Sequence, residues 1–273
     1  MYVARITFRG KSVMSDRVVY DAVYPVLRRW WESGQINCDR QEVARSGRTA
    51  VVMVRVPERS SLSPRRHLPA TKACLERLGL TKIAPPRIEI VGRAAQSTPF
   101  GSASADERTD TCREPSAYVL YADATREASP VLCADCFRPV PLYRLPPSNA
   151  HALPTDEFLG MPVNRQYQDI LLWQRDFRRL NSMWFDSGIG ERFAHRTLSD
   201  PKSRLNVDGL LTRSAIEDAT GRRVYYALWQ RGIRGDFLPE DRRCPICQGR
   251  WRRRARAISP FQFRCDRCRI VSL

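Results

Sequence analysis

The chain has 273 residues, 42% of them hydrophobic, and carries a formal net charge of +17. That length admits two domains, or one with an appendage, and the charge favours acidic partners such as nucleic acid. No run approaches the roughly 18 apolar residues that cross a bilayer, so no membrane partner is expected.

The N-terminal MYVARITFRGK lacks the basic-then-apolar order of a signal peptide, and a cytoplasmic location is expected. Tyr2 to Phe8 alternates and reads as a strand. Ser15 can cap a helix carrying Val18, Val19, Ala22, Val23, Val26 and Leu27 that ends near Gly34. Ile36 to Arg45 and Thr49 to Val56 read as two strands around a Ser46-Gly47 turn. A second helix is expected over Pro69 to Leu78, stopped by Gly79, and a fourth strand over Arg87 to Val91. The order β-α-β-β-α-β is that of a split βαβ, ferredoxin-like unit over residues 1–92.

Residues 93–115 are small, polar and aperiodic and read as a linker. A mixed central region is expected over 116–240. In it Ala117 to Tyr121 reads as a strand, Val131-Leu132 leads into Cys133-Ala-Asp-Cys136, and Val140 to Leu145 reads as a further strand. From Gln166 the spacing of Tyr167, Ile170, Leu171, Gln174, Phe177, Leu180 and Trp184 predicts a helix, broken by Gly188 and Gly190. Further helices are expected from Glu191 and over Leu205 to Ala219, then a strand over Arg223 to Trp229.

Nine cysteines in a chain without an export signal do not read as a disulfide framework. Cys244-x2-Cys247 and Cys265-x2-Cys268 have the spacing of a four-thiolate zinc site, expected as a zinc ribbon over 241–273. Soft thiolates in a tetrahedron favour Zn2+, and a filled shell makes the metal structural. Cys133 and Cys136 form a further knuckle, which Cys112 and His151 could complete, so a second zinc is left open. A redox CxxC usually opens a helix, and Phe137-Arg-Pro-Val-Pro argues against one. Cys38 and Cys74 read as small buried hydrophobes.

Arginine supplies 42 of the 46 cationic residues, so a single cluster says little by itself. From Arg242 to Arg269, however, ten arginines face one acid, Asp266. Arg250, Arg252, Arg253, Arg254 and Arg256 surround Trp251, a combination suited to phosphate contact with base stacking. Compensating cations around an anionic metal site would look similar. On a strand, Trp251, Arg253 and Ala255 would share one face and Arg250, Arg252, Arg254 and Arg256 the other, turning the indole inward. Arg28-Arg29-Trp30-Trp31 could join a basic-aromatic surface.

No HExxH, P-loop, GxGxxG or GxSxG motif is present, and the histidines are His67, His151 and His195. No small-molecule substrate is indicated. An enzyme built around Glu191, His195 and Cys136 has no motif behind it.

CADCFRPVPLYRLP, ILLWQRDF, SGIGERF, SRLNVDGL, IEDATGRRVYY and the CPIC…FQFRCDRC ending resemble a family of bacterial proteins described as Zn-ribbon-containing, with nucleic-acid binding suggested for it. The resemblance spans Cys133 to Cys268 and implies Cys244, Cys247, Cys265 and Cys268 as zinc ligands. The expectation is therefore an α+β, non-enzymatic zinc-ribbon protein that binds nucleic acid. The alternative is an interaction module, of inhibitor or immunity type, for an acidic protein.

Overall fold

The structure is a computed structural model that describes residues 1–37, 42–93, 112, 114–122, 129–146, 167–229, 243–253, 258 and 260–272. It is a mixed α+β protein with two sheets, one of four strands and one of six.

The N-terminal sheet has the order β2-β3-β1-β4, from β1 (Tyr2–Arg9), β2 (Val43–Ser46), β3 (Thr49–Val56) and β4 (Arg87–Arg93). Every neighbouring pair is antiparallel, which is the strand arrangement of a split βαβ unit. Ser46 pairs with Thr49, so the turn residues are Gly47 and Arg48, one position later than the Ser46-Gly47 expectation. Gly47 takes a φ of 55°, which favours glycine there.

Ser15 Oγ accepts the Val18 N–H and starts α1 (Asp16–Val18). A π-turn over Val19–Val23 joins α1 to α2 (Tyr24–Glu32). Pro25 has no N–H for the Asp21 carbonyl and would clash with it in a regular α-turn. The widened turn, in which the Tyr24 N–H reaches the Val19 carbonyl, accommodates that proline.

α3 (Pro69–Leu80) runs through Gly79 instead of stopping there. The stop lies at Thr81, whose hydroxyl donates to the Leu78 carbonyl, and at Lys82, which takes a φ of 59°. α2 and α3 bury Val26, Leu27, Trp30, Cys74 and Leu78 against Ala4, Ile6, Phe8, Val52 and Val54 of the sheet.

The second sheet has the order β6-β5-β7-β10-β9-β8. Its strands are β5 (Ala117–Leu120), β6 (Val131–Cys133), β7 (Arg223–Ala227), β8 (Arg252–Arg253), β9 (Phe263–Cys265) and β10 (Ile270–Ser272). β5 and β7 are parallel, and their crossover carries α4 (Gln168–Asp186), α5 (Glu191–Ser199) and α6 (Arg204–Thr220). β10 then pairs in parallel with β7, Ile270 opposite Tyr226. The central region and the four-cysteine segment therefore share one sheet.

Alternation assigns the two faces of that sheet. Tyr118, Leu120, Val224, Tyr226 and Ile270 belong to the core that also holds Ile170, Trp173, Phe177 and Leu205 of the helices. Ala117, Val119, Tyr225, Ala227 and Val271 belong to a separate core with Ile258 and Phe261. Gly209 of α6 is demanded by close approach, because an added Cβ would lie 2.4 Å from Tyr226 and 2.6 Å from Trp173.

Val140 to Leu145 is not the strand expected. Pro141 opens a 3-10 turn over Leu142–Arg144, closed by the Arg144 N–H on the Pro141 carbonyl. The turn docks the central region on the first unit. Leu142 abuts Gly34, where a Cβ would sit 2.8 Å from it. Tyr143 donates its hydroxyl to Glu58 at 2.7 Å, and Arg66 lies over the Tyr143 ring at 4.8 Å. Among the described residues no helix is long and apolar enough to cross a membrane.

Candidate metal centres

Cys244, Cys247, Cys265 and Cys268 bring their sulfurs within 4.8 Å of one another, so the expected ligand set does converge. Each pair sits on a tight turn fixed by backbone chemistry. The Gln248 N–H bonds the Cys244 carbonyl at 2.9 Å, and the Cys244 N–H bonds the Gly249 carbonyl at 2.8 Å. Gln248 closes the first turn at a φ of 58°, and Arg269 closes the second at 54°. A left-handed conformation costs a non-glycine residue roughly 1–2 kcal/mol, so both turns are held by the surrounding contacts. A Cβ at Gly249 would press on the Cys247 sulfur at 3.3 Å.

A tetrahedral ion with metal–sulfur bonds of about 2.3 Å places its sulfurs about 3.8 Å apart. Cys247 and Cys265 lie at 3.7 Å. Cys265 also receives the Cys268 N–H at 3.5 Å. The Gly249 N–H beside Cys247, together with the neighbouring sulfurs, brings that thiol down to about 7. Burial pushes Cys265 and Cys268 up. Four crowded sulfurs resist shared ionisation without a cation, and the donor set fits a soft metal ion.

Ionic contacts divide the arginines around this centre. Arg264 pairs with Asp266 at 2.6 Å and lies over the Tyr225 ring at 4.6 Å. Tyr225 in turn donates to Asp266 at 2.7 Å. Arg269 reaches Glu217 at 3.7 Å. These two arginines tie the four-cysteine segment to β7 and α6. Arg243, Arg250 and Arg267 are exposed and make no ion pair among the described residues.

Trp251 is 2% exposed and packs on Phe263 with ring centroids 5.5 Å apart. The indole belongs to the core and not to the surface on which it was expected to stack, as strand alternation allows. Arg252 and Arg253 form β8, opposite Arg264 and Phe263. Arg254 and Arg256 lie outside the described residues.

A second group of sulfurs converges at Cys112, Cys133 and Cys136, again within 4.8 Å of one another. His151, considered from sequence as a further ligand, and Cys38 lie outside the described residues. Cys74 is buried, as its reading as a small hydrophobe requires.

The other candidates separate. Trp30 is fully buried, and Arg29 is buried against Glu32, so Arg28-Arg29-Trp30-Trp31 forms no open basic-aromatic face. Glu191 and His195 lie on α5, while Cys136 faces Cys112 and Cys133. A cleft of about 520 Å3 between α4 and α6 is lined by Asp169, Trp173, Asp176, Arg204 and Asp208, with neither Glu191 nor His195 among its lining residues.

Three family models, each described as a domain of unknown function, match the chain in order: DUF8589 over 1–92, DUF2310 over 112–229 and DUF8594 over 238–273. The three-cysteine cluster lies within the DUF2310 match and the four-cysteine cluster within the DUF8594 match. None of the descriptions names a metal or a nucleic acid, so those parts of the resemblance rest on the chain's own residues.

Two relatives come from the bacterium Haemophilus influenzae, both described as uncharacterised proteins. One is 24% identical over 79% of this chain and 74% of its own length; the other is 27% identical over 61% and 75%. A crystal structure of a proposed antibiotic biosynthesis monooxygenase from Deinococcus radiodurans covers 37% of this chain and all of its own, at 10% identity and a TM-score of 0.27. That likeness is too slight to bear on activity. The chain is thus similar to bacterial proteins of the DUF2310 type over its central region, with a separately matched unit on either side.

Proposed function

We propose that this is a non-enzymatic protein whose C-terminal four-cysteine segment is a zinc ribbon that presents arginines to nucleic acid. Zn2+ is the preferred ion because soft thiolates in a closed tetrahedron suit it, and four protein ligands leave no position for a reacting water. Bound there, the ion would supply folding energy and no chemistry. The cysteines hold it, and Gly249, Gln248 and Arg269 shape the turns that aim them.

The observation that carries the nucleic-acid reading is the division of arginines. Arg264 pairs with Asp266 and Arg269 with Glu217, which Arg213 shares, while Arg243, Arg250 and Arg267 around the cysteine turns have no acidic partner among the described residues. Burial of Trp251 supports a hairpin that turns its aromatic side inward and Arg250 outward. Arg252, Arg253, Arg254 and Arg256 continue the basic run from that point. A face of this kind suits phosphates and reads sequence poorly. Base stacking by Trp251 is no part of the proposal.

The test is binding of the purified full chain to fluorescent single-stranded and duplex oligonucleotides at low salt. Wild type should bind, and replacing Arg250, Arg252, Arg253, Arg254 and Arg256 by alanine should weaken binding at least about tenfold. Unchanged affinity would sink the proposal.

A second reading, an interaction module for an acidic protein, draws on Phe185, Ile189 and Phe193, which are 61%, 82% and 55% exposed beside Arg192 and Arg196. A pull-down recovering one stoichiometric protein free of nucleic acid would favour it.

A further inference from the structure

We propose that Cys112, Cys133 and Cys136 form a second metal centre, in which three thiolates hold one Zn2+ ion and fasten the incoming chain to the β5–β6 edge of the sheet. The proposal is independent of what the C-terminal arginines bind.

Converging sulfurs are the first observation. The second is the backbone of the Cys133 turn, which repeats the Cys244 turn bond for bond. The Phe137 N–H bonds the Cys133 carbonyl at 2.9 Å, as Gln248 does to Cys244. The Cys133 N–H bonds the Arg138 carbonyl at 2.9 Å, as Cys244 does to Gly249 at 2.8 Å. Phe137 takes a φ of 55°, against 58° at Gln248 and 54° at Arg269. All three CxxC turns thus end on a non-glycine residue in the left-handed region, four positions after the first cysteine. A bulky aromatic residue adopts that conformation only where its surroundings impose it.

The third observation is how Cys112 arrives. Asp135, inside the turn, accepts the Ser116 N–H at 2.7 Å and the Ser116 hydroxyl. Arg222 donates to the Pro115 carbonyl at 2.6 Å, and the Ala134 N–H bonds the Ala117 carbonyl at 2.9 Å. These contacts hold Pro115, Ser116 and Ala117 beside the turn, three to five positions along the chain from Cys112.

A redox pair fits less well. Cys133 is fully buried at the end of β6, and the turn leads to Pro139, bridged to Leu132, not into a helix. Three thiolates and one Zn2+ carry a net charge of −1, and the fourth tetrahedral position falls to a group outside the triad.

Metal content of the purified full chain tests this. Wild type should hold about two zinc ions per chain, and a Cys133→Ser/Cys136→Ser variant about one. Should that variant fail to fold, 113Cd NMR of the cadmium-loaded wild type should give two resonances, one typical of four sulfurs and one of three. A Cys133→Ser/Cys136→Ser variant that keeps the wild-type zinc content, or a single four-sulfur resonance, would overturn the proposal, whereas loss of one zinc in the variant supports it whatever the C-terminal cysteines hold.

Discussion

Phe137 and Phe261 pack edge to face, with centroids 5.5 Å apart and planes at 75°. One ring follows the Cys133 turn, and the other belongs to the four-cysteine segment, 2% exposed beneath the shared sheet. Tyr121 completes the contact at 5.6 Å from Phe261. The two cysteine centres thus meet through one apolar core. Phe261→Ala should cost about 3–5 kcal/mol, read by urea denaturation. A loss below about 1 kcal/mol would mean that the C-terminal segment hangs free of the sheet.

Metal removal should act on the same core. Without an ion at Cys244, Cys247, Cys265 and Cys268, the turns that align β9 and β10 lose their anchor, and β10 is the neighbour of β7. A strong chelator should lower the melting temperature by about 4–5 °C, the equivalent of about 2–3 kcal/mol at this size. Differential scanning fluorimetry with and without chelator reads the shift, and zinc should restore it.

His67 gives the first unit a pH dependence. Its imidazole lies 5.9 Å from the Trp30 ring and bonds the Leu62 carbonyl, and burial lowers its pKa below the ordinary value of 6.5. The folded state therefore binds this proton less readily than the unfolded chain. Its contribution to stability is complete above about pH 6.5 and is lost as pH falls through the depressed folded pKa. Urea midpoints should drop between pH 7.5 and 5.5, and His67→Gln should flatten that slope. An equal slope in both proteins would remove His67 as its source.

Much of this was legible in the sequence where local chemistry decides. Ser15 capping, the β-α-β-β-α-β order and the CPIC…CDRC convergence all follow from spacing and turn residues. What escaped depended on distant partners. Cys112 was already a candidate partner of Cys133 and Cys136, but the contacts of Asp135 with Ser116 and of Arg222 with Pro115 nearby leave no trace in an aperiodic linker. Arg264 and Arg269 look like part of one basic run until Asp266, Tyr225 and Glu217 claim them. Pro141 turned an apparent strand into the 3-10 turn that meets Glu58. The shared sheet was hidden because a parallel pairing of β10 with β7 leaves no local trace.

The most direct test of the central claim is the salt dependence of oligonucleotide affinity, measured by fluorescence anisotropy on the metal-loaded full chain. Each neutralised phosphate contributes about 0.7–0.9 to the slope of log affinity against log salt. Wild type should show a steep negative slope. Alanine at Arg250, Arg252, Arg253, Arg254 and Arg256 should reduce its magnitude by about 3.5–4.5 if each contacts one phosphate. No binding at low salt, or the same slope in both proteins, would contradict the account.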